Sequence, residues 1–171
     1  MTRWRRWPVA VLAPGLLAAG LVAAEEDGVR SRTLFDAGVD RARDLVVVLN
    51  PAAPPPTGSE VSVYLPIRFA HDSAELSVPA RRNLAVIAEA LAAPALAAVG
   101  FVVEGHTDAS GGAAYNDALS FRRASSAAEY LVALGVRASR LTVRGRGESD
   151  LLAGVDPLAA AQRRVEIVRQ F

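Results

Sequence analysis

The sequence contains no cysteine among its 171 residues. This absence excludes disulfide bonds, thiolate metal sites, cysteine nucleophiles and a lipid-modified N-terminal cysteine. Lysine is absent as well, so all 19 basic residues are arginine, and with 18 acidic residues they give a formal net charge of +1. Because no basic run occurs outside the N-terminus, this charge argues against a nucleic-acid ligand.

Residues 1–24 are predicted to be a separate targeting segment. Three arginines lie within the first six residues, an apolar run follows over residues 8–22, and Val22-Ala23-Ala24 forms a small-residue cleavage site. This is the layout of a secretory signal peptide. The alternative is an uncleaved membrane anchor, because the apolar run over residues 7–24 is just long enough to span a bilayer. Pro14-Gly15 in its middle favours cleavage, and both interpretations place the rest of the chain outside the cytoplasm.

Residues 25–59 are predicted to be a lead-in followed by a linker. The apolar run over residues 45–49 indicates a short strand. Four prolines within residues 50–58 indicate a stiff, extended connection. The main domain is therefore expected to occupy residues 60–171.

The pattern from residue 60 onward alternates between strands and helices. Strands are predicted at residues 61–69, 99–104, 141–144 and 163–168, and helices at residues 78–93, 113–134 and 156–162. Ser77 is expected to cap the first helix, whose buried stripe is Ala80, Leu84, Ile87 and Leu91. The second helix is expected to bury Ala124, Ala127, Leu131 and Leu134 and to end at Gly135. This order predicts an α/β (α+β) two-layer sandwich, with a mixed four-stranded sheet and helices on one face.

A loop and the helix after it bring together side chains that could recognise a ligand. Asp108 follows Gly105-His106-Thr107, and on the helix Asn116, Ser120 and Arg123 share one face at positions i, i+4 and i+7. A guanidinium can form a bidentate contact with a carboxylate, and a carboxylate can accept an ammonium group. Asp108 and Arg123 therefore suit a ligand that carries both groups on one carbon.

The sequence of this region resembles the OmpA-like peptidoglycan-binding domain family. Four blocks match the family's motifs in the family's order, at residues 65–76, 105–124, 145–148 and 163–167. Two positions depart from the usual pattern: Gln162 stands where the family usually has Asn, and His71 where it usually has an aromatic residue.

The resemblance implies a βαβαβ-αβ order, which agrees with the pattern read from the residues, and a domain that is not an enzyme and needs no cofactor. In the family, the Asp and Arg at the positions of Asp108 and Arg123 hold the diaminopimelate of the peptidoglycan stem peptide. It further implies that one arginine of the closing strand reaches the ligand: Arg164 is expected to do so, with Arg163 as the alternative. The residues expected at the ligand are Asp108, Arg123, Asn116, Thr107, Asp72 and Arg164.

The same residues allow two other interpretations, and the sequence favours neither. His71 and His106 with Asp72 and Asp108 could be imagined as a metal site, but their spacing does not fit one. Ser110 or Ser120 would need a histidine base to act as a nucleophile, and the spacing does not indicate one.

The sequence thus predicts a periplasmic, wall-associated protein that binds peptidoglycan non-covalently. The alternative is a subunit of an envelope machine, either a secretion apparatus or a stator, anchored in the inner membrane by residues 1–24. A stator is expected to carry an acidic residue within its membrane segment, and residues 7–24 contain none.

Overall fold

The computed structural model describes residues 21–26, 30–35, 42–50, 60–65, 69 and 73–170. The strands are β1 (Leu21–Glu26), β2 (Arg30–Phe35), β3 (Glu60–Leu65), β4 (Phe101–Gly105), β5 (Leu141–Gly145) and β6 (Val165–Arg169). The helices are α1 (Ala42–Leu49), α2 (Val78–Leu91) and α3 (Ala113–Ala133). Single 3₁₀ turns occur at Pro94–Leu96, Ala138–Arg140 and Ala160–Gln162.

The strands form one mixed sheet in the order β1-β2-β3-β6-β4-β5. Strand β6 pairs antiparallel with both β3 and β4, and β5 pairs parallel with β4. These four strands are the predicted mixed four-stranded sheet, which is confirmed. Strands β1 and β2 extend it at the β3 edge, through a parallel pairing of β2 with β3.

The two long helices form where the sequence predicts them. The Ser77 hydroxyl accepts the Ala80 N–H at 3.3 Å and caps α2, and the predicted apolar stripe of α2 is buried. Helix α3 buries Ala124, Ala127 and Leu131 against the sheet. The prediction for Leu134 was wrong: this residue is 42% exposed, because the helix ends at Ala133 and the chain turns away at Gly135.

Three other element predictions need correction. The strand predicted at residues 45–49 is helix α1, in which Leu45 and Leu49 lie one turn apart and are both buried in the core. A short apolar run cannot be assigned to helix or strand from periodicity alone. The helix predicted at residues 156–162 is a single 3₁₀ turn, and the last strand begins at Val165 rather than at residue 163.

The structure tests little of the predicted N-terminal organisation. Strand β1 crosses the predicted cleavage position after Ala24, while residues 1–20 and the linker at 51–59 lie outside the described residues. Cleavage therefore stays a prediction. Within the part of the chain that the structure describes, no helix combines the length and apolar character needed to cross a membrane.

Candidate functional site

Helix α3 lies directly on the ends of β4 and β5, and glycines make this approach possible. A Cβ atom at Gly105 would stand 2.1 Å from the Ser120 carbonyl oxygen, and one at Gly145 would stand 2.7 Å from the Asp117 carbonyl oxygen. Any side chain at these positions would push the helix off the sheet. The glycines therefore hold the first half of α3 beside the loop that follows β4.

That loop is fixed by backbone hydrogen bonds to three other segments. The His106 N–H donates to the Arg164 carbonyl at 3.0 Å, and the Thr107 N–H donates to the Gly147 carbonyl at 2.8 Å. The Ala109 N–H donates to the Pro157 carbonyl at 2.9 Å. Asp108, which lies between the last two contacts, is thus carried on a rigid support rather than on a free loop.

Asp108 is buried and already engaged by two neighbours. Arg163 Nη1 donates to Oδ2 at 2.6 Å, while the Ser110 N–H donates to Oδ1 at 3.1 Å and the Ser110 hydroxyl also contacts Oδ1. Burial raises the pKa of Asp108, but the hydrogen bonds from Ser110 and Arg163 together outweigh it and hold the pKa below its usual value. The carboxylate is therefore ionised at neutral pH.

Arg123 is buried beneath this loop, and only some of the N–H groups of its guanidinium have hydrogen-bond partners within the described part of the chain. Its Nε donates to the Ser73 carbonyl at 3.2 Å, and its guanidinium carbon lies 4.9 Å from the centroid of the Phe69 ring. Nη1 is buried and has no hydrogen-bond partner among the described residues. Burial and the nearby positive charge of Arg163 lower the pKa of Arg123, while Asp108 opposes the shift; an arginine stays charged even so.

An unpartnered buried donor is costly in a folded protein, about 1–3 kcal/mol and more when it is charged. Arg123 Nη1 is such a donor, and the Thr107 hydroxyl beside Asp108 is also buried without a partner among the described residues. Unsatisfied groups of this kind are rare in native proteins, and a bound ion or ligand is one way in which they are satisfied. An anion is a group that could pair with the Arg123 guanidinium at this position.

Asn116 joins the two loops of the site. Its Nδ2 donates to the Ser110 carbonyl at 2.9 Å and to Glu148 Oε2 at 2.6 Å. Ser120, one turn along, accepts the Gly147 N–H at 2.9 Å and donates to the Asp117 carbonyl at 2.9 Å. The predicted helix face is thus correct, since Asn116, Ser120 and Arg123 are all buried on it and Arg122 is exposed.

The expectation that Arg164 reaches the site was wrong, and its alternative Arg163 contacts Asp108 instead. Arg164 is 1% exposed, and it donates to Glu166 Oε1 at 2.7 Å and to the Asp150 carbonyl at 2.9 Å. Neighbouring side chains of an extended segment point in opposite directions. Arg164 therefore supports the sheet from within, whereas the half-exposed Arg163 lies at the rim of the site.

Two neighbours of the predicted site residues are not indicated by the sequence. Glu148 was noticed only as part of a turn motif, yet its carboxylate reaches Asn116. The carbonyl of Ser73, which holds Arg123, carries no signal in the sequence because any residue could supply it. Asp72 and His71 lie outside the described residues.

The histidine of the site loop belongs to a buried network of charged groups. His106 Nε2 lies 3.6 Å from Glu166 Oε1, and Glu104, Asp150 and His106 have ligand atoms within 4.8 Å of one another. Glu104 Oε1, however, accepts hydrogen bonds from Arg144 at 3.0 Å and from Arg146 at 3.1 Å. Guanidinium groups on this carboxylate make the cluster an ion-pair network rather than a metal centre.

The part of the chain that carries these residues matches a known protein family. Residues 68–164 match the OmpA family. Outer membrane protein A of Klebsiella pneumoniae is 44% identical over 78 residues, which cover 39% of this chain and 22% of that protein. The chain thus spans about a fifth of the length of this curated relative.

Two solved structures share the fold. The OmpA-like domain of FopA1 from Francisella tularensis is 26% identical, with a TM-score of 0.56 over 67% of this chain and 75% of that one. The peptidoglycan-associated lipoprotein from Burkholderia pseudomallei is 27% identical, with a TM-score of 0.52 over 64% of this chain and 89% of that one.

Proposed function

The chain belongs to the OmpA family, and from this we propose that residues 60–171 bind peptidoglycan non-covalently through the diaminopimelate of the stem peptide. The protein would serve as a tether or positioning element at the cell wall, in the periplasm. The observation that carries the proposal is the buried guanidinium of Arg123, whose Nη1 has no partner among the described residues.

Arg123 is proposed to bind the carboxylate at the side-chain end of diaminopimelate. Its Nε donates to the Ser73 carbonyl and its guanidinium lies over the Phe69 ring. The guanidinium is therefore held in one orientation before a ligand arrives. A planar, immobilised guanidinium matches a carboxylate with two parallel hydrogen bonds. Little side-chain entropy is lost on binding, because the group is already ordered.

Asp108 is proposed to bind the ammonium group on the same carbon of the ligand. Its carboxylate is ionised and stands in the loop beside Arg123. Oδ2 is held by Arg163, whose side chain is 39% exposed and can move away from the rim. The ligand ammonium would replace Arg163 at this oxygen, which exchanges one ion pair for another and leaves the ligand carboxylate close to two guanidinium groups.

The test is co-sedimentation of the purified protein with isolated sacculi. We expect binding to sacculi that contain diaminopimelate and weaker binding to walls with lysine at that position, because lysine has no carboxylate beside its terminal ammonium. Arg123→Ala and Asp108→Ala should each weaken binding by about 2–5 kcal/mol, which is at least about thirtyfold in affinity. Arg123→Lys should also fail, since an ammonium cannot form the bidentate contact.

The matched control is Arg82→Ala, which removes an exposed arginine from α2, outside the proposed site. This variant should sediment with sacculi like the wild type. Far-ultraviolet circular dichroism of every variant separates loss of binding from loss of fold. Equal sedimentation with both wall types would remove diaminopimelate from the mechanism, and normal binding by Arg123→Ala would remove the proposed site altogether.

A further inference from the structure

One lateral surface of the domain, on the side of α3 turned away from Asn116 and Arg123, carries an outer strand edge beside a helix face on which only Ala128 is buried. Strand β5 is the outermost strand of the sheet formed by the described residues. The helix face beside it is defined by positions spaced three and four apart along α3: Ala118, Phe121, Ser125, Ala128 and Val132. The edge of β5 and this helix face together are named the lateral surface.

The lateral surface is apolar and concave. A groove of about 420 Å³ lies between the helix face and the strand, lined by Ser125, Ala128, Glu129, Val132, Leu141 and Val143. Phe121 is 51% exposed and Val132 is 40% exposed at its borders. Exposed apolar side chains around a groove, next to unpaired strand backbone, are characteristic of a protein interface.

The strand itself offers no charge to block pairing at this edge. Its one charged side chain, Arg144, donates to Glu104 Oε1 at 3.0 Å and is thereby held against β4, on the side of the sheet opposite α3. Natural edge strands that avoid pairing usually project a charge across the edge. The edge of β5 is therefore competent to pair with another strand.

The position of α3 fits a second copy of the chain better than a lone peptide. The helix lies over both β4 and β5, as its contacts with Gly105 and Gly145 require. Strands in a sheet are about 4.8 Å apart, so pairing β5 with its own copy about a two-fold axis would bring the two α3 helices to about 10 Å. That is the distance at which helices pack.

The charges on α3 are self-complementary under the same two-fold axis. An axis between Ser125 and Ser126 places Arg122 of one copy opposite Glu129 of the other. The same axis places Phe121 of one copy between Ala128 and Val132 of the other. Arg122 and Glu129 are both exposed and lie seven residues apart on one side of the helix face, where flanking charges pair in packed helices. The antiparallel arrangement thus forms two opposite-charge pairs and buries four apolar side chains.

We propose that the lateral surface is a homodimer interface, in which two copies join their sheets edge to edge through β5 and pack their α3 helices together. This pairing leaves the Asp108 loop of each copy open, because it uses the face of α3 turned away from Asn116 and Arg123. A dimer of this kind presents two equivalent sites on one particle.

Charge reversal in the full-length protein tests the proposal by sedimentation velocity over a range of concentrations. Arg122→Glu and Glu129→Arg should each raise the dimer dissociation constant by about tenfold or more, because each turns two attractive pairs into two repulsive ones. The double variant carrying both changes should restore the wild-type dissociation constant. Recovery by the double variant distinguishes pairing across the interface from a structural role within one chain.

Cross-linking gives an independent readout, since the chain contains no cysteine. Ser125→Cys places one thiol per copy near the proposed axis, and a short bifunctional thiol reagent should convert it to a covalent dimer. Arg82→Cys, at an exposed position of α2, is the control and should form no covalent dimer under the same treatment. The proposal is overturned by a monomer at every concentration, by a dimer that ignores the charge reversals, or by equal cross-linking of both cysteine variants.

Discussion

Replacement of Gly105 by alanine tests whether the site depends on the close approach of α3 to the sheet. The added Cβ would stand 2.1 Å from the Ser120 carbonyl oxygen and 2.9 Å from its carbonyl carbon. Both atoms belong to the helix backbone, so no side-chain rotation can relieve the clash. An ordinary contact distance is about 3.5 Å, so α3 must move away from β4 by roughly 1.4 Å.

The expected cost follows from this displacement. Overpacking of a core costs about 1–3 kcal/mol and more where backbone must shift, and Gly105→Ala belongs at the upper end because a whole helix is displaced. For a chain of this length, 3 kcal/mol lowers the melting temperature by about 6–12 °C. Binding to sacculi should fall as well, because Arg123 is part of the displaced helix.

Alanine substitutions at two other glycines are controls for Gly105→Ala, and the free energy of unfolding of each variant is measured in urea. Gly112→Ala adds a Cβ that meets nothing within 4 Å, at a backbone φ of −99° that alanine adopts freely. Gly112 is the N-cap of α3, where alanine is less favourable, but alanine also lowers the entropy of the unfolded chain, so the free energy of unfolding should fall by no more than about 1 kcal/mol. Gly135→Ala also meets open space but at φ +97°, and should cost about 1–2 kcal/mol from backbone strain alone. If Gly105→Ala proves as stable as Gly112→Ala, α3 does not rest on β4 as described.

Two further predictions concern groups that hold the site loops. Gln162→Ala should lower the free energy of unfolding by about 1–3 kcal/mol in urea titrations. The buried Gln162 Oε1 accepts the Leu152 N–H at 2.8 Å, and the variant leaves that donor unsatisfied. An unchanged free energy of unfolding would mean that water replaces the amide. Asp108→Asn should be less stable than wild type at neutral pH, and this difference should shrink as the pH falls below 3.8. The lowered pKa of Asp108 means that its ionised form stabilises the fold above that value and loses its contribution in acid. If the stability difference between wild type and Asp108→Asn is the same at pH 2.5 as at neutral pH, the pKa of Asp108 is not lowered in the folded protein.

The parts of the fold that the sequence predicts are those with long, regular patterns. The stripe of α2 repeats over four turns and begins at a capping serine, and α3 repeats over six turns and ends before a glycine, so only one arrangement satisfies each pattern. Helix α1 was mistaken for a strand because its apolar residues are consecutive. Contact with the core, and not local periodicity, selects the helix that buries Leu45 and Leu49.

The turn before β6 shows a different limit. Residues 156–162 have helical composition, but the amide of Gln162 lies within 3.3 Å of the carbonyls of Val155 and Asp156 and binds the backbone of Leu152. A buried side chain thereby satisfies backbone groups that a helix would otherwise pair. This arrangement depends on how the loop folds back on itself, which is not a local property of the sequence.

Within the site, the positions of the side chains on α3 could be predicted from the sequence, whereas those on the segment before β6 could not. Asn116, Ser120 and Arg123 were placed correctly together because helical geometry fixes side chains at i, i+4 and i+7. The choice between Arg163 and Arg164 could not be made, because a shift of one residue in the start of an extended segment exchanges its two faces. The chain enters β6 at Val165, which turns Arg164 toward Glu166 and Arg163 toward Asp108.

This exchange of faces has a consequence for how the proposed site would work. Had Arg164 faced the ligand, Asp108 would stand without its ion pair, and an entering ammonium would meet a carboxylate that only Ser110 holds. With Arg163 at 2.6 Å from Oδ2, the carboxylate is kept ionised and oriented, and any cation that binds there must compete with a guanidinium. A lone ammonium gains nothing by that competition. A ligand that also brought a carboxylate for Arg123 would gain. Under the proposed function, the pairing of Asp108 with Arg163 would therefore favour the zwitterionic end of diaminopimelate over the amine of lysine.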